Sequence, residues 1–138
     1  MRSVDQKKLY RVIDANFNRA KEGLRVCEDI CRFLHNKRSA TQRYKHLRHE
    51  LTSIVTHLPL ADVIKSRDVA GDVGRGSSPV EYKRNNVNDL FYANSQRAKE
   101  SIRVLEEFAK LLNNRLAERL KRLRYQIYTL EREIVEKL

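Results

Sequence analysis

The chain has 138 residues, enough for one domain with a single core. It carries 29 Lys and Arg against 18 Asp and Glu, a net charge of +11, which favours anionic partners such as phosphorylated small molecules, nucleic acid or anionic lipid. No run of 18 or more apolar residues is present, and Met1-Arg2-Ser3 leads straight into polar, helix-forming sequence, so a cytoplasmic protein without a membrane span is expected.

The first segment, about 6–35, places Ile13, Phe17, Ala20, Leu24, Cys27, Cys31 and Leu34 at alternating steps of four and three, the stripe of an amphipathic helix. Ser3 with Gln6 resembles a capping box at its start. Cys27 and Cys31, four apart on one helix, are poorly placed for a disulfide and read as small core residues. A second stripe runs through Tyr44, Leu47, Leu51, Ile54 and Leu58, with Ser39 as the expected N-cap. Pro59 ends that helix, and Leu60 to Lys65 is expected to form one further turn. The stretch Ser66 to Pro79 follows, holding three of the four glycines. A loop of this length in a bundle is usually functional or disordered, although a flexible crossover also accounts for it.

The second half then repeats the first. The string from Ala15 to Glu28 returns 78 positions later, from Ala93 to Glu106, and nine of its positions match, mostly polar ones. Arg43, Lys45, Leu47 and Arg48 match Arg119, Lys121, Leu123 and Arg124 at an offset of 76, because the first hairpin connection is two residues longer than the second. Asn114 is the expected N-cap of the last helix. No strand pattern is evident. The expected architecture is all-α: a pseudo-twofold four-helix bundle of two repeated hairpins, about 6–58 and 87–138, joined by a long glycine-containing crossover over about 59–86, all in one domain.

At 100° per residue from Ile13, Asn16 falls at about −60°, Gly23 at about −80° and Arg19 at about −120°, on the shoulder of the core face. Asn94 and Arg97 take the same places in the second copy. A semi-buried Asn needs its amide satisfied, and a mid-helix Gly costs about 1 kcal/mol against Ala, which implies close approach by a neighbour or ligand. The repeated charges, by contrast, fit helical pairs at three or four residues: Arg19–Glu22, Arg25–Glu28, Arg25–Asp29, Arg97–Glu100, Arg103–Glu106 and Arg103–Glu107. His46 and His49 with Glu50 do not make a zinc site and read as solvent-facing. The glycines at 71, 74 and 76 match neither the Walker nor the dinucleotide pattern. Arg, Lys, Asn, carboxylates and a glycine loop make a set for holding phosphates.

The segment Asp14 to Asp29, with Arg48-His49-Glu50-Leu51, Arg67-Asp68, Asp72-Val73-Gly74 and the Ala93–Glu107 echo, resembles the helical domain found ahead of the (β/α)₈ barrel in some bacterial thiamine-phosphate synthases, a family that also occurs free-standing. The likeness spans nearly the whole chain. A chain stopping at Leu138 is expected to lack the barrel, which takes about 250 residues, and with it the synthase activity. The resemblance implies a hydroxymethylpyrimidine phosphate kinase, moving the γ-phosphoryl of ATP to the phosphate of 4-amino-5-hydroxymethyl-2-methylpyrimidine phosphate with Mg²⁺. On that implication we expect Arg19, Arg67 and Arg97 to clamp phosphates, Asp68 and Asp72 to position Mg²⁺, and Asn16 or Asn94, beside Gly23, to meet the aminopyrimidine. The implied partners are small-molecule phosphates and a possible second copy of the chain, not a membrane. A nucleic-acid-binding protein is the rival reading, disfavoured because bases and acids are interleaved along all four helices. A non-catalytic interaction module is a third.

Overall fold

The computed structural model describes residues 5–78 and 83–137, and every regular element in them is helical. In chain order these are α1 (Gln6–Asp29), a π-turn (Ile30–Leu34), α2 (Arg38–Val55), α3 (Leu60–Lys65), α4 (Val87–Ala109) and α5 (Asn114–Val135). The four long helices form a ring in which α1 packs on α2 and α4, and α5 on α4 and α2; the short α3 lies against α1. This is the expected bundle of two repeated hairpins. No helix among the described residues is long and apolar enough to cross a membrane.

The core is built from the two stripes. Ala20, Leu24 and Cys27 of α1 and their repeat mates Ala98, Ile102 and Leu105 of α4 are all at most 1% exposed. The α1–α4 contact is the most extensive in the molecule. It is antiparallel: Gly23 faces Asn94 and Ala98, while one turn further on Cys27 donates its thiol to the Phe91 carbonyl at 3.8 Å. The missing side chain of Gly23 is filled by backbone, since a Cβ there would lie 2.7 Å from the Asn94 carbonyl oxygen. Gly23 therefore permits the helix crossing, which accounts for the cost it imposes on α1.

Four local expectations change. The apolar stripe of α1 stops at Cys31, and Leu34 is exposed; the π-turn, closed by the His35 amide on the Ile30 carbonyl at 3.1 Å, rotates Phe33 and Leu34 outward. The N-cap of α1 is Asp5, whose side chain accepts from the Lys7 amide at 2.8 Å; Ser3 lies outside the described residues. The cap of α5 is Asn113 rather than Asn114, because its side chain reaches the Arg115 amide at 2.8 Å. The cap position of α2 is Lys37, not Ser39, and it supplies no side-chain bond.

Candidate functional site

Three of the repeated charges tie helices together: Glu28/Glu106, Arg48/Arg124 and Arg43/Arg119. Glu28 is 2% exposed and accepts two bonds from Arg48 of α2, at 2.8 and 3.2 Å. Its repeat mate Glu106 takes the same two from Arg124 of α5, at 2.9 and 3.4 Å. These buried forks join the two helices within each hairpin. Arg43 and Arg119, also repeat mates, join the hairpins to each other: Arg43 pairs with Glu133, and Arg119 with Glu50 at 2.8 Å. The expected intrahelical pairs of Arg25 and Arg103 are present as well, at 3.2–3.7 Å.

Subtracting these ties leaves Asn16/Asn94, Arg19/Arg97, Lys21/Lys99 and Glu22/Glu100 among the repeated polar positions of α1 and α4; Lys21 lies over the Phe17 ring and Lys99 pairs with Glu131, so the other three remain. The expected Arg19–Glu22 and Arg97–Glu100 pairs do not form. Arg19 instead makes a long bond of 3.5 Å to the Asn16 side-chain carbonyl, and Glu100 accepts from Gln96 at 2.9 Å. Both arginines are exposed and have no carboxylate partner among the described residues. Together with Asn16, Gln96, Glu100 and Ser101 they line an open groove of about 420 Å³ along the α1–α4 crossing. The repeat puts Arg19 and Arg97 at equivalent positions of α1 and α4, the two helices that cross there.

Both asparagines satisfy their own amides. Asn16 Nδ2 donates to the Val12 carbonyl at 2.9 Å and Asn94 Nδ2 to the Leu90 carbonyl at 2.8 Å, each one helical turn back. Asn16 is buried and lines the groove; Asn94 does not, and it is the backbone of Asn94 that meets Gly23. Gln96, Glu100 and Ser101 were not singled out as site residues from the sequence, although their spacing of four and one along α4 puts them on the Arg97 face.

The glycine-containing stretch forms a second cluster. Arg67 grips the buried Asp14 with two bonds of 2.7 Å, and this pairing raises the guanidinium pKa further. Arg11 donates to the Asp68 carbonyl at 3.2 Å. Asp68 and Asp72 each spend Oδ1 on a loop amide, Gly71 at 2.8 Å and Gly74 at 2.9 Å. Arg67, Asp68 and Asp72 do not line the Arg19–Arg97 groove. Among the described residues no three His, Cys, Asp or Glu side chains converge as a metal site. Both carboxylates, Asp68 and Asp72, serve the loop, and Glu100 is the carboxylate that lines the groove.

One polar cluster has no repeat. Glu131 accepts from Ser95 and, at 3.0 Å, from Lys99. The equivalent positions in the first half are the apolar Phe17 and Val55, so this substitution pair was visible in the alignment of the halves. The cysteines are core residues: burial pushes the Cys27 thiol up to about 12 and Cys31 to about 11, which leaves both protonated and unreactive.

Fold and groove together define an all-α internal-repeat protein with an arginine pair suited to anions. The family follows from comparison: residues 11–133 match the ThiD2 family, and the chain belongs to it. It is similar to the thiamine-phosphate synthase of Nostoc punctiforme, 40% identical over 131 residues, covering 94% of this chain and 36% of that protein. The thiamine-phosphate synthase of Rhodopirellula baltica is 35% identical over 139 residues, covering all of this chain and 37% of the relative. The chain thus spans little more than a third of the relatives' length. No solved structure matches it significantly.

Proposed function

We propose that this chain acts in thiamine biosynthesis as a hydroxymethylpyrimidine phosphate kinase, taking the γ-phosphoryl of ATP onto the phosphate of 4-amino-5-hydroxymethyl-2-methylpyrimidine phosphate. The observation that carries the reading is the Arg19–Arg97 pair, two cations without carboxylate partners held in one groove by the repeat. Membership of the ThiD2 family, and relatives named for thiamine-phosphate synthesis, set the pathway.

The chemistry asks little of a general base. A phosphomonoester with a second pKa near 6 is mostly dianionic at neutral pH and is already the nucleophile. An acceptor oxygen attacks the γ-phosphorus, the bond to the β-bridging oxygen breaks, and ADP leaves with that electron pair. The obstacle is repulsion between two polyanions, which fixed guanidinium groups offset while holding donor and acceptor in line. Arg19 and Arg97 do this from the two helices. Asn16, with its Nδ2 committed to α1, offers its carbonyl oxygen to an exocyclic amine such as that of the aminopyrimidine. Magnesium arriving with ATP would supply charge neutralisation on the phosphates; the loop carboxylates Asp68 and Asp72 do not line the groove, where Glu100 is the carboxylate.

The test is a coupled assay of the purified, folded chain with Mg-ATP and the pyrimidine monophosphate. ADP and pyrimidine diphosphate formed in equal amounts support the reading. No diphosphate from folded protein overturns it, and tight, salt-sensitive RNA binding without turnover would favour the nucleic-acid alternative.

A further inference from the structure

The two-residue difference between the hairpin connections has a structural consequence. In the second hairpin the chain turns tightly and Asn113 caps α5. In the first, the π-turn and the extra residues carry Asn36 into the left-handed region at φ 50°, and Lys37 precedes α2 without a side-chain cap bond. The wider turn opens a cavity of about 450 Å³ against the C-terminal half of α5, within the range of small-molecule sites, about 300–1,000 Å³.

We infer that this cavity is a binding site for a small phosphomonoester with an apolar body, separate from the α1–α4 groove. Its floor is apolar: Cys31, Ala40, Leu130 and Ile134. Its rim carries the cations Lys37, Arg38 and Lys137. Arg43 and Glu133 also line it but neutralise each other, and Glu133 is the sole lining acid, so the rim charge is uncompensated among the described residues. His35 Nε2 is buried with no hydrogen-bond partner there, an unpaired polar atom at the cavity wall. An apolar floor under a cationic rim selects a molecule with an apolar body and an anionic end. Phosphate suits the anionic end because Lys and Arg donors and uncapped helix amides all favour it. No residue is shared with the Arg19–Arg97 groove, and α1 runs about 15 Å from Arg19 to its end at Asp29, ahead of the π-turn that carries Cys31.

The experiment is calorimetric titration of the Arg19→Ala/Arg97→Ala protein, whose other groove is disarmed, with phenyl phosphate and separately with inorganic phosphate. The expected result is saturable one-site binding of phenyl phosphate, at least tenfold tighter than inorganic phosphate. Adding Lys37→Ala and Arg38→Ala should weaken it at least tenfold, and Ser39→Trp at the exposed mouth should abolish it; circular dichroism confirms that each variant is folded. No saturable binding, equal affinity for the two probes, or affinity unchanged by both rim and mouth substitutions overturns the inference, whatever the outcome of the kinase assay.

Discussion

Replacing Gly23 by Ala pits two effects of known sign against each other. In an exposed helix interior the change gains about 0.8–1 kcal/mol of helix propensity. Here the new Cβ would sit 2.7 Å from the Asn94 carbonyl oxygen and 3.3 Å from the Ala98 amide nitrogen. Both obstacles are backbone, so no side chain can swing aside, and α4 has to move away from α1 along the most extensive contact in the protein. Overpacking of this kind costs about 1–3 kcal/mol. Against the propensity gain, the net is a destabilisation of up to about 2 kcal/mol, or a fall in Tm of up to about 8 °C for a chain of this size. Gly76→Ala is the control: nothing lies within 4 Å of a Cβ there, and stability should change by less than about 0.5 kcal/mol. Thermal unfolding followed by circular dichroism reads both. A Gly23→Ala protein more stable than the parent would refute the close crossing and the role given to Gly23.

Arg48→Ala and Arg124→Ala should each cost about 1–3 kcal/mol in urea unfolding, because each takes the fork from a buried glutamate that keeps only its intrahelical arginine; near-neutral values would show that the repeated pairs are incidental. Arg67→Ala should release the 66–78 stretch from Asp14, so limited proteolysis within it should speed up while the helical spectrum stays unchanged. The two thiols favour the folded state while protonated. Their contribution is complete below the unfolded value near 9 and is lost as pH rises toward 11 and 12, so stability should fall across that window. The fall should be shallower in Cys27→Ala/Cys31→Ala, and a steeper one would reverse the assignment.

The helices and their pairing were legible because two copies of one pattern constrain each other. Stripe positions such as Ala20 and Ala98, or Leu24 and Ile102, are buried in both halves. The charges were less legible. Spacing along one helix marks Arg25–Glu28 as a local pair, but it cannot reveal that Arg48, twenty residues on, reaches the same carboxylate. Asn113 and Asn114 are equally good caps by composition, and only backbone geometry chooses between them. Arg67 stands apart from Arg19 and Arg97 for a similar reason: helical periodicity fixes those two, whereas Arg67, beyond the end of α3, reaches Asp14 and does not line their groove. The cavity at the first hairpin was implicit in the 78-to-76 offset, but an offset gives a loop length and not a shape.

The central claim is that Arg19 and Arg97 act together on the phosphates of one reaction. It is tested most directly by turnover of the pyrimidine monophosphate with Mg-ATP in Arg19→Ala, Arg97→Ala and the parent, all verified as folded. Charge-assisted bonds to phosphate of about 1.5–3 kcal/mol predict a loss in kcat/KM of about ten- to a hundredfold for each substitution. Parent-level turnover in both variants would contradict the account.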